Sequence, residues 1–170
     1  MPYTPLVWVA GVTPLSAANL NNLEAAAEKE LHIPFLYSAQ TPASYPVSNA
    51  YIGIGYALDA NAEACRATFR VPHNYTTLVG AIVEFVPEGT GTFDYTVATE
   101  WGAAGEGKDN DSDSVTEDGV AGTSTKLGEL DVSAAFTGIV AGDLVNITFT
   151  RDAVATITKV HVSTLAFYYT

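Results

Sequence analysis

The sequence predicts a mainly β fold: an antiparallel, jelly-roll-like β-sandwich preceded by an extended N-terminal arm and one α-helix. Three observations carry this. Period-2 alternation of apolar and polar residues recurs in short runs after Pro34, which marks strands with one buried face and hence antiparallel pairing. Thr, Val, Ala, Gly and Tyr are plentiful while Lys and Arg together number 7 in 170 residues, a balance that favours strands and tight turns over surface helices. Pro42, Pro46, Pro72 and Pro87 flank the runs and do not interrupt them, as a residue without a ladder donor must.

A chain of 170 residues that is 48% hydrophobic and 15% charged is long enough for one sizeable core and too short for two ordinary domains with a linker. The division expected is an arm and helix over 1–34, for anchoring and trimerisation, and a sandwich over 35–170. In the arm, residues 1–12 hold two prolines and the apolar run Leu6-Val7-Trp8-Val9. With no polar alternation this run cannot be a half-solvated strand by itself. It either packs on its own domain or docks on another subunit.

Helix signals span Thr13 to Leu31. Ser16 stands at the N-cap position after Pro14, and good helix formers run from Ala17 to Glu30. Leu20, Leu23, Ala27 and Leu31 recur at spacings of three, four and four, giving one narrow apolar stripe. Pro34 closes the element. The stripe can lie on the chain's own sandwich or meet copies of itself at a threefold axis; its narrowness suits the second. Two heptads alone are marginal, so the β domains would have to associate too.

The β region follows in order. Residues 50–58 place Ile52, Ile54, Tyr56 and Leu58 on one face; in 63–71, Cys65, Ala67, Phe69 and Val71 alternate with Arg66, Thr68 and Arg70. Val79, Ala81, Val83 and Phe85 share a parity in 76–86, and Phe93, Tyr95, Val97 and Trp101 stand opposite Asp94, Thr96, Ala98 and Glu100 in 92–101. Val145, Ile147 and Phe149 alternate in 143–150. The last run, 159–169, changes parity near Thr164, which suggests a bulge. Weaker strands are expected at 35–38 and 125–132. About eight such strands suit a two-sheet sandwich, with a closed barrel as the alternative. Residues 102–124, rich in Gly, Ser and Asp, have little to bury and read as a long loop at one end of the sandwich.

Composition also excludes. A formal net charge of −12 argues against a nucleic-acid backbone or an anionic membrane surface as the main partner. No apolar stretch approaches a membrane span, and the N-terminus lacks the order of a secretory signal. One cysteine, Cys65, excludes an internal disulfide framework and a thiolate metal cluster; its parity with Phe69 makes it a buried, inert thiol. No cofactor motif occurs. His32, His73 and His161 are isolated, His161 facing solvent or pairing with a carboxylate, and no G-x-S-x-G turn or H-E-x-x-H helix is present. Glu84, Asp94 and Glu100 could in principle supply a glycosidase carboxylate pair, but acidic residues on the solvent faces of strands are common. The reading is therefore not an enzyme. Asp109-Asn110-Asp111-Ser112-Asp113 is the best calcium candidate, but Ser114 and Val120 stand where an EF-hand needs Gly and Glu. A solvated acidic loop is preferred and no metal site is assigned.

The run Thr13-Pro14-Leu15-Ser16-Ala17-Ala18-Asn19-Leu20-Asn21-Asn22-Leu23-Glu24 resembles a segment near the N-terminus of many tailed-bacteriophage virion proteins, including tail-fibre, baseplate and head-fibre or decoration components. Residues Ala141 to Asp152, followed by an apolar final strand, are similar to the end of jelly-roll domains in phage structural proteins. The resemblance implies a non-enzymatic virion protein, displayed on the particle surface as a trimeric capsid-decoration or head-fibre protein and contacting other capsid or tail proteins. It implies Val7, Trp8 and Val9 as anchor residues and Leu20, Leu23, Ala27 and Leu31 as a threefold homotrimer seam. The chain has no repeat, shaft or second domain, which sets it apart from long fibres. The alternative is a tail-fibre or receptor-binding protein whose sandwich binds a host surface glycan, with Tyr45, Tyr75 and Trp101 stacking on sugar rings from end loops.

Overall fold

The computed structural model describes residues 27–38, 47–49, 53–107 and 110–170. The arm with Val7, Trp8 and Val9, the expected helix as far as residue 26 with Leu20 and Leu23, and Tyr45 and Asp109 lie outside them. Eleven strands are described: β1 (Lys29–Pro34), β2 (Tyr37–Ser38), β3 (Val47–Asn49), β4 (Gly53–Leu58), β5 (Ala64–Arg70), β6 (Leu78–Pro87), β7 (Gly91–Gly102), β8 (Asp111–Gly122), β9 (Gly128–Asp131), β10 (Leu144–Ala155) and β11 (Val160–Tyr169). A 3-10 turn, Ser133–Phe136, follows β9 and is the one helical element among the described residues.

The strands form two antiparallel sheets. The first runs β3-β4-β11-β6-β9, with β1 also on β11; the second runs β2-β5-β10-β7-β8. Their inner faces meet in one core, as alternation demands of a sandwich. In β5, Cys65, Ala67 and Phe69 are buried while Arg66, Thr68 and Arg70 are exposed. Aromatic rings join the layers. Phe93 and Tyr95 of the second sheet continue to Phe85 of the first through a Phe85–Phe93 contact of 5.1 Å, and Phe69 meets Phe167 at 5.2 Å. Each such ring is worth roughly 1.5–3 kcal/mol when fully buried.

The parity change near Thr164 is a bulge. Register shifts between Val162 and Thr164, and the inward set passes from Val160 and Val162 to Leu165, Phe167 and Tyr169. Ser163 takes the irregular position; its carbonyl accepts the Phe35 N–H at 3.1 Å and its hydroxyl donates to the Glu84 carbonyl at 3.3 Å.

Two expectations are corrected. The helix does not reach Leu31: Lys29 to Pro34 pair antiparallel with Tyr169 to Thr164, because that stretch of β11 otherwise has a ladder on one side only. Leu31 packs partly buried against the chain's own core, and Ala27 is exposed at a bend, so neither continues a helical stripe. The 102–124 segment is also not a loop. Its larger part is β8, an edge strand paired with β7 from Trp101↔Asp111 to Gly91↔Gly122. Most of its residues are exposed, so main-chain hydrogen bonds define it and no buried face does. At its bulge Gly119 adopts φ +69° and its N–H donates to Asp94 Oδ1 at 2.6 Å, a left-handed position suited to glycine.

Candidate functional site

The outward face of the second sheet is built from three central strands whose registers align polar residues in rows. One row is Arg70, Leu144 and Gly102; the next is Thr68, Asn146, Glu100 and Ser112; the third is Arg66, Thr148, Ala98 and Ser114. The rows exist because β5, β10 and β7 each alternate, so every second residue faces away from the core. They support a groove of about 610 Å³ walled on one side by the 103–107 loop. That loop is braced by its own Glu106, whose Oε2 accepts the Ala103 N–H at 2.8 Å, and it folds close over Gly102, where an added Cβ would stand 2.7 Å from the Gly107 carbonyl.

Several polar side chains on the face are held. Arg66 Nε donates to Thr148 Oγ1 at 3.2 Å, and the Thr68 hydroxyl donates to Asn146 Oδ1 at 3.4 Å. Arg70 Nη1 donates to the Gly142 carbonyl at 2.5 Å. The 140–143 turn that presents this carbonyl is tied to β5 by Gly142 N–H to Val71 O at 3.0 Å and Val71 N–H to Asp143 O at 2.8 Å. Inside the turn, Asp143 Oδ2 accepts the Val140 N–H at 2.8 Å. Gly142 has φ +90°, a backbone state that L side chains resist. The groove thus offers donors and acceptors side by side, with Leu144, 48% exposed, as an apolar contact. A polyhydroxylated ligand requires that mixture, since each hydroxyl both donates and accepts.

The residues expected to stack on sugars are placed otherwise. Trp101 is buried in the core, as its parity with Phe93, Tyr95 and Val97 requires. Tyr75 is half-buried against Phe167 and Tyr169, with ring centroids 6.1 and 6.2 Å away. The carboxylates Glu84, Asp94 and Glu100 do not converge. Glu84 lies in the first sheet opposite Glu129, whereas Asp94 and Glu100 lie on β7 in the second.

Of the acidic run, Asp111 and Asp113 lie on β8. Asp113 accepts N–H groups of Ser114 at 2.8 Å and Thr137 at 3.3 Å, and Asp111 accepts Asn110 Nδ2 at 3.1 Å. Through Thr137, Asp113 braces the edge strand against the end of the 3-10 turn. Among the described residues, no group of three or more His, Cys, Asp or Glu is placed to hold a metal ion. Cys65 is fully buried, and burial pushes its thiol well above the ordinary range. His161 pairs with a carboxylate, Glu88, and His32 lies 2.9 Å from Glu30. The polar face itself was missed by motif reasoning. Arg66, Thr68 and Arg70 alternate outward in the sequence, but nothing there indicates that Asn146, 78 residues from Thr68, completes the row.

No protein-family model and no curated protein sequence matches the chain. Among solved structures, the isomalto-dextranase of Arthrobacter globiformis T6 complexed with panose is similar with a TM-score of 0.50 and 17% identity, over 81% of this chain and 23% of that one. A family two carbohydrate esterase from Cellvibrio japonicus is similar with a TM-score of 0.48 and 7% identity, over 85% of this chain and 35% of that one. The carbohydrate-binding module CBM36, in complex with calcium and xylotriose, gives a TM-score of 0.44 and 16% identity, over 81% and 98%. The chain therefore spans about a third of the esterase and about a quarter of the dextranase. At such identities the dextranase likeness shows the fold alone: an antiparallel β-sandwich.

Proposed function

We propose that this chain is a non-catalytic carbohydrate-binding β-sandwich whose site is the outward face of β5, β10 and β7. The observation that carries the reading is the groove of about 610 Å³ over the rows of Arg66, Thr68, Arg70, Asn146 and Glu100. Its polar groups come from strands, so the scaffold fixes their spacing before a ligand arrives, which lowers the ordering cost of binding. The neighbouring solved structures whose names include carbohydrate-active and carbohydrate-binding proteins are in keeping with this reading and do not carry it.

The resemblance of Thr13 to Glu24 to phage virion proteins supports a setting for such a module: display on a phage particle as a tail-fibre or receptor-binding component directed at a host surface glycan. A trimeric decoration protein rests on the same resemblance but gives the groove no task, so it stands second.

The test is a glycan array followed by calorimetric titration of the full chain against the polysaccharides that bind. Binding that is lost in Asn146→Ala, with the melting temperature retained, is the expected result. A folded protein that binds no polysaccharide on the array overturns the reading.

A further inference from the structure

We infer that the polar groove selects acidic polysaccharides, with Arg66 and Arg70 receiving the carboxylates of uronate-type sugars. This deepens the carbohydrate-binding reading and rests on it. The chain has three arginines against 19 acidic residues. Arg151 is buried, with its guanidinium on the carbonyls of Leu58, Ile157 and Thr158. The other two stand on the same face of the same strand, β5, both lining the groove. In so acidic a protein, exposed cations would ordinarily find carboxylates, yet among the described residues neither Arg66 nor Arg70 forms an ion pair.

Each guanidinium is instead held by one hydrogen bond that leaves a complete edge open. Arg66 uses Nε on Thr148 Oγ1, which leaves its Nη1–Nη2 edge without a partner among the described residues. Arg70 uses Nη1 on the Gly142 carbonyl, which leaves its Nε–Nη2 edge without a partner among the described residues. Either edge matches the two oxygens of a carboxylate in bidentate geometry. Four residues apart on a strand, the two Cα atoms are separated by about 13 Å, so one extended acidic chain can engage both through different sugar units.

The carboxylates that share the groove do not cancel this. Glu106 turns its Oε2 onto the Ala103 N–H of its own loop. Glu100 lies on β7, two strands and about 10 Å across the sheet from β5, where it can accept from sugar hydroxyls. The net charge of −12 repels polyanions at long range, so a preference for an acidic chain has to arise locally, at these two forks.

The experiment is titration of the full chain, in the presence of a chelator, with polygalacturonate and with its methyl ester as the neutral counterpart. Polygalacturonate is expected to bind about a hundredfold more tightly than the ester, about tenfold from each fork, the scale of one charge-assisted hydrogen bond apiece. Arg66→Gln and Arg70→Gln should each reduce that preference about tenfold with unchanged melting temperature, as exposed side chains allow, while Arg66→Lys should restore it only in part because the fork is lost. Equal binding of acid and ester, or a preference that survives in the Arg66→Gln/Arg70→Gln double variant, overturns the inference and leaves the groove a site for neutral glycans. Failure to bind either polymer overturns the inference alone, and failure to bind any polysaccharide on the array overturns the carbohydrate reading as well.

Discussion

His161 Nε2 lies 2.6 Å from Glu88 Oε1, joining β11 to the turn between β6 and β7, and Lys159 Nζ lies 3.2 Å from the other oxygen of the same carboxylate. The Glu88 carboxyl is held below its usual value, chiefly by the His161 hydrogen bond, with partial burial opposing and Lys159 assisting. A depressed carboxyl pKa contributes stability that is fully present above the ordinary value of 4.5 and is lost as pH falls through the lowered folded value. Glu88→Gln should therefore melt below the parent protein above pH 4.5, and the two curves should converge in more acidic buffer. Thermal melts of both proteins across pH check this; a difference that grows on acidification contradicts it.

Arg151 is 5% exposed and its guanidinium donates to Leu58 O at 3.3 Å, Thr158 O at 3.1 Å and Ile157 O at 2.8 Å. It thereby ties the end of β4 to the turn between β10 and β11. Arg151→Met keeps the packing volume of the stem but leaves these carbonyls without their donor. The cost should be about 3 kcal/mol, the scale of one or two buried polar groups left unsatisfied. Urea denaturation measures it, and a change under about 0.5 kcal/mol would place the variant with ordinary surface substitutions.

How far sequence reasoning reached follows from which residues bury a face. β5 and β10 were legible because Cys65, Ala67 and Phe69, and Val145, Ile147 and Phe149, all point into the core. Even the β11 bulge showed itself, as a break in that rhythm near Thr164. β8 was not legible, because an edge strand is held by its ladder to β7 and its side chains, Asp111 to Gly122, stay mostly outside. Lys29 to Leu31 have helical propensity, and a ladder on β11 overrides it. Trp101 was legible in parity and misread in role: alternation already put it with Val97, inside. The site was the least legible part, because Arg66 meets Thr148 from 82 residues away and pairing registers of that length leave no local signature.

Gly128 marks a close approach at the β6–β9 pairing. An added Cβ would stand 2.4 Å from the ring of Phe85, itself a core residue only 2% exposed and packed 5.1 Å from Phe93. A ring buried in this way can shift only by displacing its neighbours, so Gly128→Ala should destabilise by about 1–3 kcal/mol through overpacking. Gly105→Ala is a useful contrast: its Cβ would meet nothing among the described residues within 4 Å, but its φ of +97° makes the substitution costly through backbone strain. A double variant whose losses add would show that the two mechanisms are independent.

Gly142 connects fold to site. Its φ of +90° orients the carbonyl that receives Arg70 Nη1 at 2.5 Å, while its N–H holds the turn on Val71 O at 3.0 Å. Among the described residues a Cβ there would meet only His73, at 3.6 Å, so space is not the obstacle and backbone strain is. Gly142→Ala should cost about 1–2 kcal/mol in stability. Relaxation of the turn would also move the carbonyl away and release the Arg70 fork from its fixed orientation. Preference for polygalacturonate over its methyl ester should then fall in Gly142→Ala, toward the level of Arg70→Gln, while the contribution of Arg66 persists. Loss of stability with the preference fully retained would show that Arg70 takes its orientation from the bound sugar and not from the turn.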